Sequence, residues 1–154
     1  MTMKTYGLSL AWDEYQPGMT FRTIGRTIFE ADLIGFLNAT GMTEVVFNNV
    51  VFQAESNAIK GQLVPGVLAY CFAEGLLIQA VLQGRGLALM EMEQKLLLPV
   101  LVGDTIHVEV EVKSVRPTSK GNRGIVESLN HVVNQRGEVT QTYRTVRMIA
   151  GREP

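Results

Sequence analysis

The 154-residue chain has one cysteine, two histidines and almost balanced charge, so several common functional chemistries have little to work with. Cys71 stands alone, which excludes an intrachain disulfide, and its neighbours Tyr70, Phe72 and Ala73 predict a buried, inert thiol. No spacing among His107, His131, Cys71 and the carboxylates matches a metal-ligand pattern, and no metal or other cofactor is implied. The 14 Lys and Arg residues are set against 15 Asp and Glu residues, for a net charge of −1. Nucleic acid, which asks for a basic stripe, is therefore not an expected partner. Acidic tails, internal repeats, low-complexity stretches and long linkers are absent from the pattern. The opening Met1-Thr2-Met3-Lys4 leads to Tyr6, Trp12, Asp13 and Glu14 without an apolar core of secretory-signal length, and the expected location is the cytoplasm.

Apolar sequence is what the chain has in quantity. Hydrophobic residues make up 46% and charged residues 19%, proportions that suit one globular domain over residues 1–154 with a substantial core. The longest apolar run extends from Leu63 to Leu82. Pro65-Gly66 punctuates it as a helix entry, leaving Val67 to Leu82, about 24 Å of helix at about 1.5 Å per residue. That is short of a bilayer, and Glu74 and Gln79 would lie in hydrocarbon without a flanking Lys/Arg cluster, so no membrane partner is expected. A helix apolar all round must then be enclosed by protein on nearly every side.

The enclosing elements follow in the sequence. Ile106, Val108, Val110 and Val112 alternate with His107, Glu109, Glu111 and Lys113, the period of a strand with one buried face. Leu87 to Met92, Ile125 to Val133 and Val139 to Ile149 read as further strands, with turns at Gly103-Asp104, Ser119-Lys120-Gly121-Asn122 and Asn134-Gln135-Arg136-Gly137. Phe21 to Ile28 reads as a strand near the N-terminus. Glu30-Ala31-Asp32 then puts carboxylates in the first turn of a helix that runs to Thr40, with Gly41 as its C-cap. The sum is an α+β domain: one long central helix wrapped by an antiparallel sheet of about five or six strands.

Three stretches resemble one family in order along the chain. They are Trp12-Asp13-Glu14-Tyr15-Gln16-Pro17-Gly18-Met19-Thr20-Phe21 with Thr23 to Asp32, then Leu98-Pro99-Val100-Leu101-Val102-Gly103-Asp104-Thr105, then Val133-Asn134-Gln135-Arg136-Gly137-Glu138-Val139. Over about Trp12 to Ile149 the chain resembles the MaoC-like hot-dog dehydratases, including R-specific enoyl-CoA hydratases. The resemblance implies a single hot-dog domain, an acyl-CoA type thioester as ligand, and a homo-oligomer of at least a dimer. It also implies water addition to, or removal from, a trans-2-enoyl thioester by an acid-base pair in a Gly-Asp-x-Asn-Pro-x-His stretch after the first helix. Here Gly41 matches, while Met42 and Phe47 occupy the Asp and His positions, and neither side chain can carry a proton.

Two carboxylates are the remaining catalytic candidates. Glu44 lies two positions beyond Met42, in a segment expected to be irregular, where a shifted loop would bring it to the site; as a loop residue it reads first as a solvated surface carboxylate. Glu74 is the one charge in the central helix, and a carboxylate there is either paired structurally or chemically active. Its distance from Gly66 resembles a branch of hot-dog thioesterases in which a helix-start glycine binds the thioester carbonyl and a glutamate eight residues on does the chemistry. Pro65, Gly66 and Val67 are the substrate-binding candidates. Proline suits a helix entry, glycine admits close approach, and the first-turn N–H groups are free to polarise a carbonyl. Three readings stand: a dehydratase or hydratase, a thioesterase using Glu74 and Gly66, and a non-catalytic acyl-thioester binder or structural subunit.

Overall fold

The computed structural model describes residues 3, 8–56 and 58–152. After a single 3-10 turn at Trp12–Glu14, the chain forms β1 (Thr20–Arg22), β2 (Arg26–Thr27), α1 (Glu30–Thr40), α2 (Val45–Asn48) and α3 (Val50–Ser56). Then come β3 (Leu63–Val64), α4 (Gly66–Val81), β4 (Gly86–Leu96), β5 (Val100–Leu101), β6 (Thr105–Pro117), β7 (Arg123–Val133) and β8 (Val139–Ala150). The main sheet is antiparallel, ordered β1-β6-β7-β8-β4, with β2 continuing the pairing along β6. β3 and β5 form a separate two-stranded ladder.

The alternation in β6 does what its period predicts: Ile106, Val108, Val110 and Val112 are buried. With Val126 and Val132 of β7 and Tyr143 and Ile149 of β8 they form the face on which α4 lies. The helix turns Leu68, Ala69, Ala73, Leu76 and Leu77 into that core, and the two alanines let backbone and sheet approach closely. Its other side is not covered. Val67 is 48% and Ile78 45% exposed, and Cys71 is exposed too, so within one chain the helix is wrapped on one side rather than nearly all round, and Cys71 is not the buried thiol expected. Burial still raises the Cys71 pKa, with the Glu74 charge as a smaller cause.

Polar residues sit in the middle of the sheet. Asn130 Nδ2 donates to the Tyr143 carbonyl at 3.0 Å and to Thr145 Oγ1 at 3.3 Å, while Ser128 Oγ lies 3.2 Å from Asn130 Oδ1 and 3.1 Å from Thr145 Oγ1. Buried amides and hydroxyls are tolerated because they satisfy one another across the β7–β8 pair.

The expected Phe21–Ile28 strand is broken between Arg22 and Arg26. Thr23 explains the break: its N–H donates to the Val108 carbonyl at 2.9 Å, but the Val108 N–H turns to Thr23 Oγ1 at 3.0 Å, so a side chain replaces one ladder bond. α1 starts as expected, with Asp32 Oδ2 accepting the Phe29 N–H at 2.9 Å. It ends at Gly41, whose φ of 73° needs no strain in glycine. The segment after it, expected to be irregular, holds the short helices α2 and α3.

Thr23→Val keeps the volume of a buried side chain but leaves the Val108 N–H without an acceptor. Denaturant unfolding should show a loss of about 1–3 kcal/mol; an unchanged midpoint would mean that the hydroxyl is not what holds the break.

Candidate functional site

α4 opens on Pro65, its N-cap with φ −54° and ψ 133°, followed by Gly66 as the first helical residue. The Pro65 carbonyl accepts the N–H groups of Leu68 at 2.9 Å and Ala69 at 3.4 Å. The N–H groups of Gly66 and Val67 have no acceptor inside a helix that begins with them, and they form the positive end of its dipole. This helix start faces a cleft of about 330 Å³. Phe47 from α2, Ile59, Leu63 and the Leu96 to Val100 connection form its walls, together with Pro65, Gly66 and Gln141 of β8. None of the lining side chains is titratable.

Two contacts define the helix entry. Leu96 lies against Gly66, since a Cβ on Gly66 would come within 2.8 and 3.0 Å of the Leu96 δ-methyls. Leu96 is 61% exposed, so this cover is a movable side chain. From the sheet side, Gln141 Nε2 donates to the Gly66 carbonyl at 2.9 Å, and Gln141 Oε1 accepts from Gln94 Nε2 at 2.9 Å. Gln141 was not legible as a site residue in advance; the signal lay in its alternation with Tyr143 and Thr145, an inward-facing polar residue in a strand.

Pro65 and Gly66 thus share one cleft with Phe47, while Val67, Met42, Glu44 and Glu74 lie outside its lining. Glu44 is an exposed N-cap of α2 that caps through its carbonyl, which accepts the Phe47 N–H at 2.9 Å; its carboxylate makes no capping bond. Glu74 is about two turns along α4. Arg147 Nη2 of β8 donates to its two oxygens at 2.5 and 2.7 Å, with the two side chains only 14% and 13% exposed. Around this ion pair stand Tyr70 and Tyr143, packed edge to face with centroids 5.1 Å apart. Burial raises the pKa of both phenols, and the Glu74 charge adds to it. The Tyr143 hydroxyl is buried next to the Glu74 carboxylate. His107 lies apart from both places, with Nε2 3.2 Å from Glu109 Oε1, and His131 is opposite Glu109 in the β6–β7 ladder.

Chemically, the cleft combines apolar walls with a helix N-terminus, which suits an apolar chain carrying one carbonyl. The Glu74–Arg147 pair is a mostly buried charge pair beneath the helix, and removing one partner leaves the other uncompensated. Glu74→Gln should lower the unfolding free energy by about 3 kcal/mol in a urea titration. A loss below about 0.5 kcal/mol would show that the pair is no structural anchor.

No protein-family model and no curated protein matches the chain. Solved structures do. A monoamine oxidase regulatory protein from Archaeoglobus fulgius superposes with a TM-score of 0.81 at 23% identity, covering 94% of this chain and 97% of that one. A MaoC-like dehydratase from Rhodospirillum rubrum gives 0.78 at 24% identity, covering 95% and 99%. The R-hydratase PhaJ1 from Pseudomonas aeruginosa gives 0.75 at 22% identity, covering 94% and 88%. No helix among the described residues is long and apolar enough to cross a membrane. The helix lying on one curved antiparallel sheet, and its superposition on these structures over nearly its whole length, give the chain the α+β hot-dog fold of the MaoC-like dehydratases and R-hydratases.

Proposed function

We propose that this chain binds the acyl end of an acyl-CoA type thioester in the cleft at the start of α4, in the cytoplasm and as a homodimer. The observation that carries the reading is the composition of the cleft: apolar walls, a helix N-terminus at Gly66, and no titratable side chain. The walls take an alkyl chain out of water, and the unpaired N–H groups offer a carbonyl oxygen the donors that it loses on leaving water. Phe47 fills part of the space that an acid-base residue would need. Binding without turnover is therefore the form of the activity.

The likeness to an R-hydratase favours a second reading, addition of water to a trans-2-enoyl thioester in the same cleft. A panel of saturated and trans-2-enoyl-CoA thioesters, followed by mass spectrometry, separates the two. Retained but unchanged ligand is expected; gain of one water on the enoyl species would establish hydration, and release of free CoA would bring Glu74 and Gly66 forward as a thioesterase pair.

The donor can be removed without breaking the helix. Proline is accepted at a first helical position, and Pro65 already has the extended backbone that a following proline requires. Gly66→Pro should weaken acyl-CoA binding about tenfold in calorimetry, with the helical circular dichroism intact. Gly66→Ala keeps the N–H and adds only a Cβ against Leu96, so equal losses in the two variants would assign the effect to steric hindrance.

The homodimer is supported by β4. It is an eleven-residue edge strand with Leu87, Leu89, Met90 and Met92 between 43% and 51% exposed. A long apolar edge with unpaired backbone groups invites a second strand, and the uncovered stripe of α4 invites further cover. Light scattering on the eluted protein should give the mass of two chains, and the double change Leu89→Lys with Met90→Lys should shift it to one. A wild-type mass of one chain would remove the dimer from the reading.

A further inference from the structure

Among the residues lining the cleft, Gln141 is the one polar side chain. It is 1% exposed, in a wall where a leucine would fill similar volume without the cost of desolvating an amide. Both ends of that amide are used. Its Nε2 holds the Gly66 carbonyl at 2.9 Å, and its Oε1 is held by Gln94 at 2.9 Å. Gly66, lacking a Cβ, has the widest backbone freedom of any residue type, and at the first helical position it has no preceding turn to fix it. Holding the Gly66 carbonyl from the sheet restricts the rotation of Gly66 about its own backbone bonds, and so fixes where its N–H, the donor at the cleft, points.

We infer that Gln141 is the positioning residue that makes the cleft select a thioester carbonyl over an apolar chain alone, by pinning the backbone of Gly66 from the sheet. The inference rests on the proposed reading of the cleft as an acyl-thioester site and adds the residue that sets its selectivity. Gln94 supports it from the edge strand β4 and keeps the Gln141 amide from turning.

Two probes that differ only at the carbonyl test this. Hexanoyl-CoA carries the thioester; S-hexyl-CoA has the same chain with a methylene in place of the carbonyl. Calorimetry with the full chain should show hexanoyl-CoA binding about tenfold tighter than S-hexyl-CoA. Gln141→Leu should bring the ratio to within about twofold. The ratio is insensitive to the fraction of folded protein, so a purely structural role for Gln141 would not move it. If Gln141→Leu does not fold, Gln94→Leu, at a half-buried residue outside the cleft, should reduce the ratio in the same direction. A ratio retained in the variant overturns the inference. Equal affinity of the wild-type chain for both probes overturns it as well, while leaving the cleft as an acyl site. Wild-type binding of neither probe overturns the proposed function itself.

Discussion

A sixteen-residue apolar helix has to leave water, and a single sheet can cover only one side of it. The architecture follows from that constraint. Leu68, Ala69, Ala73, Leu76 and Leu77 are buried in one core with Ile106, Val108, Val110 and Val112 of β6, Val126 and Val132 of β7, and Tyr143 and Ile149 of β8. The uncovered stripe and the exposed edge strand β4 are the two places where one chain is incomplete. Both are apolar, and cover by a second copy is the proposed answer to each.

The same constraint builds the cleft. Because the helix is clamped along its length, its first turn is held still at the boundary between core and solvent, with its donors facing a space framed by Phe47 and the chain after β4. Charge is kept away from that space. The one carboxylate on α4 is matched by Arg147, and the aromatic pair Tyr70 and Tyr143 stands beside it. An apolar cleft and a paired ionic centre thus share one helix, with Gly66 in the lining of the cleft and Glu74 outside it.

The strands and helix caps were legible in sequence where one physical signal dominated. The alternation from Ile106 to Val112, the Pro65-Gly66 entry, the acidic first turn of α1 and the glycine at position 41 all took the form their chemistry dictates. What was illegible depended on pairings between distant residues. Thr23 breaks a strand because its hydroxyl meets Val108, 85 positions away, and Gln141 reaches Gly66 across 75. Residues 42–62 gave no clear period, and two short helices formed there. Cys71 was misread because its apolar neighbours along the chain point around the helix in several directions, and its own direction is the uncovered one. Phe47 and Gly66 came to line one cleft from positions far apart in the chain, and no local pattern could say that Glu44 would stay outside it.

The polar triad beneath the helix has a consequence for how the chain folds. Ser128 lies opposite Thr145, and Asn130 lies opposite Tyr143, so the three bonds between the strands form only when β7 and β8 meet in one alignment. A slip of one residue would turn every side chain of a strand to the other face and leave a buried amide and two hydroxyls unmatched. The triad therefore ties the β7–β8 alignment to the pairing of buried polar groups as well as to apolar burial.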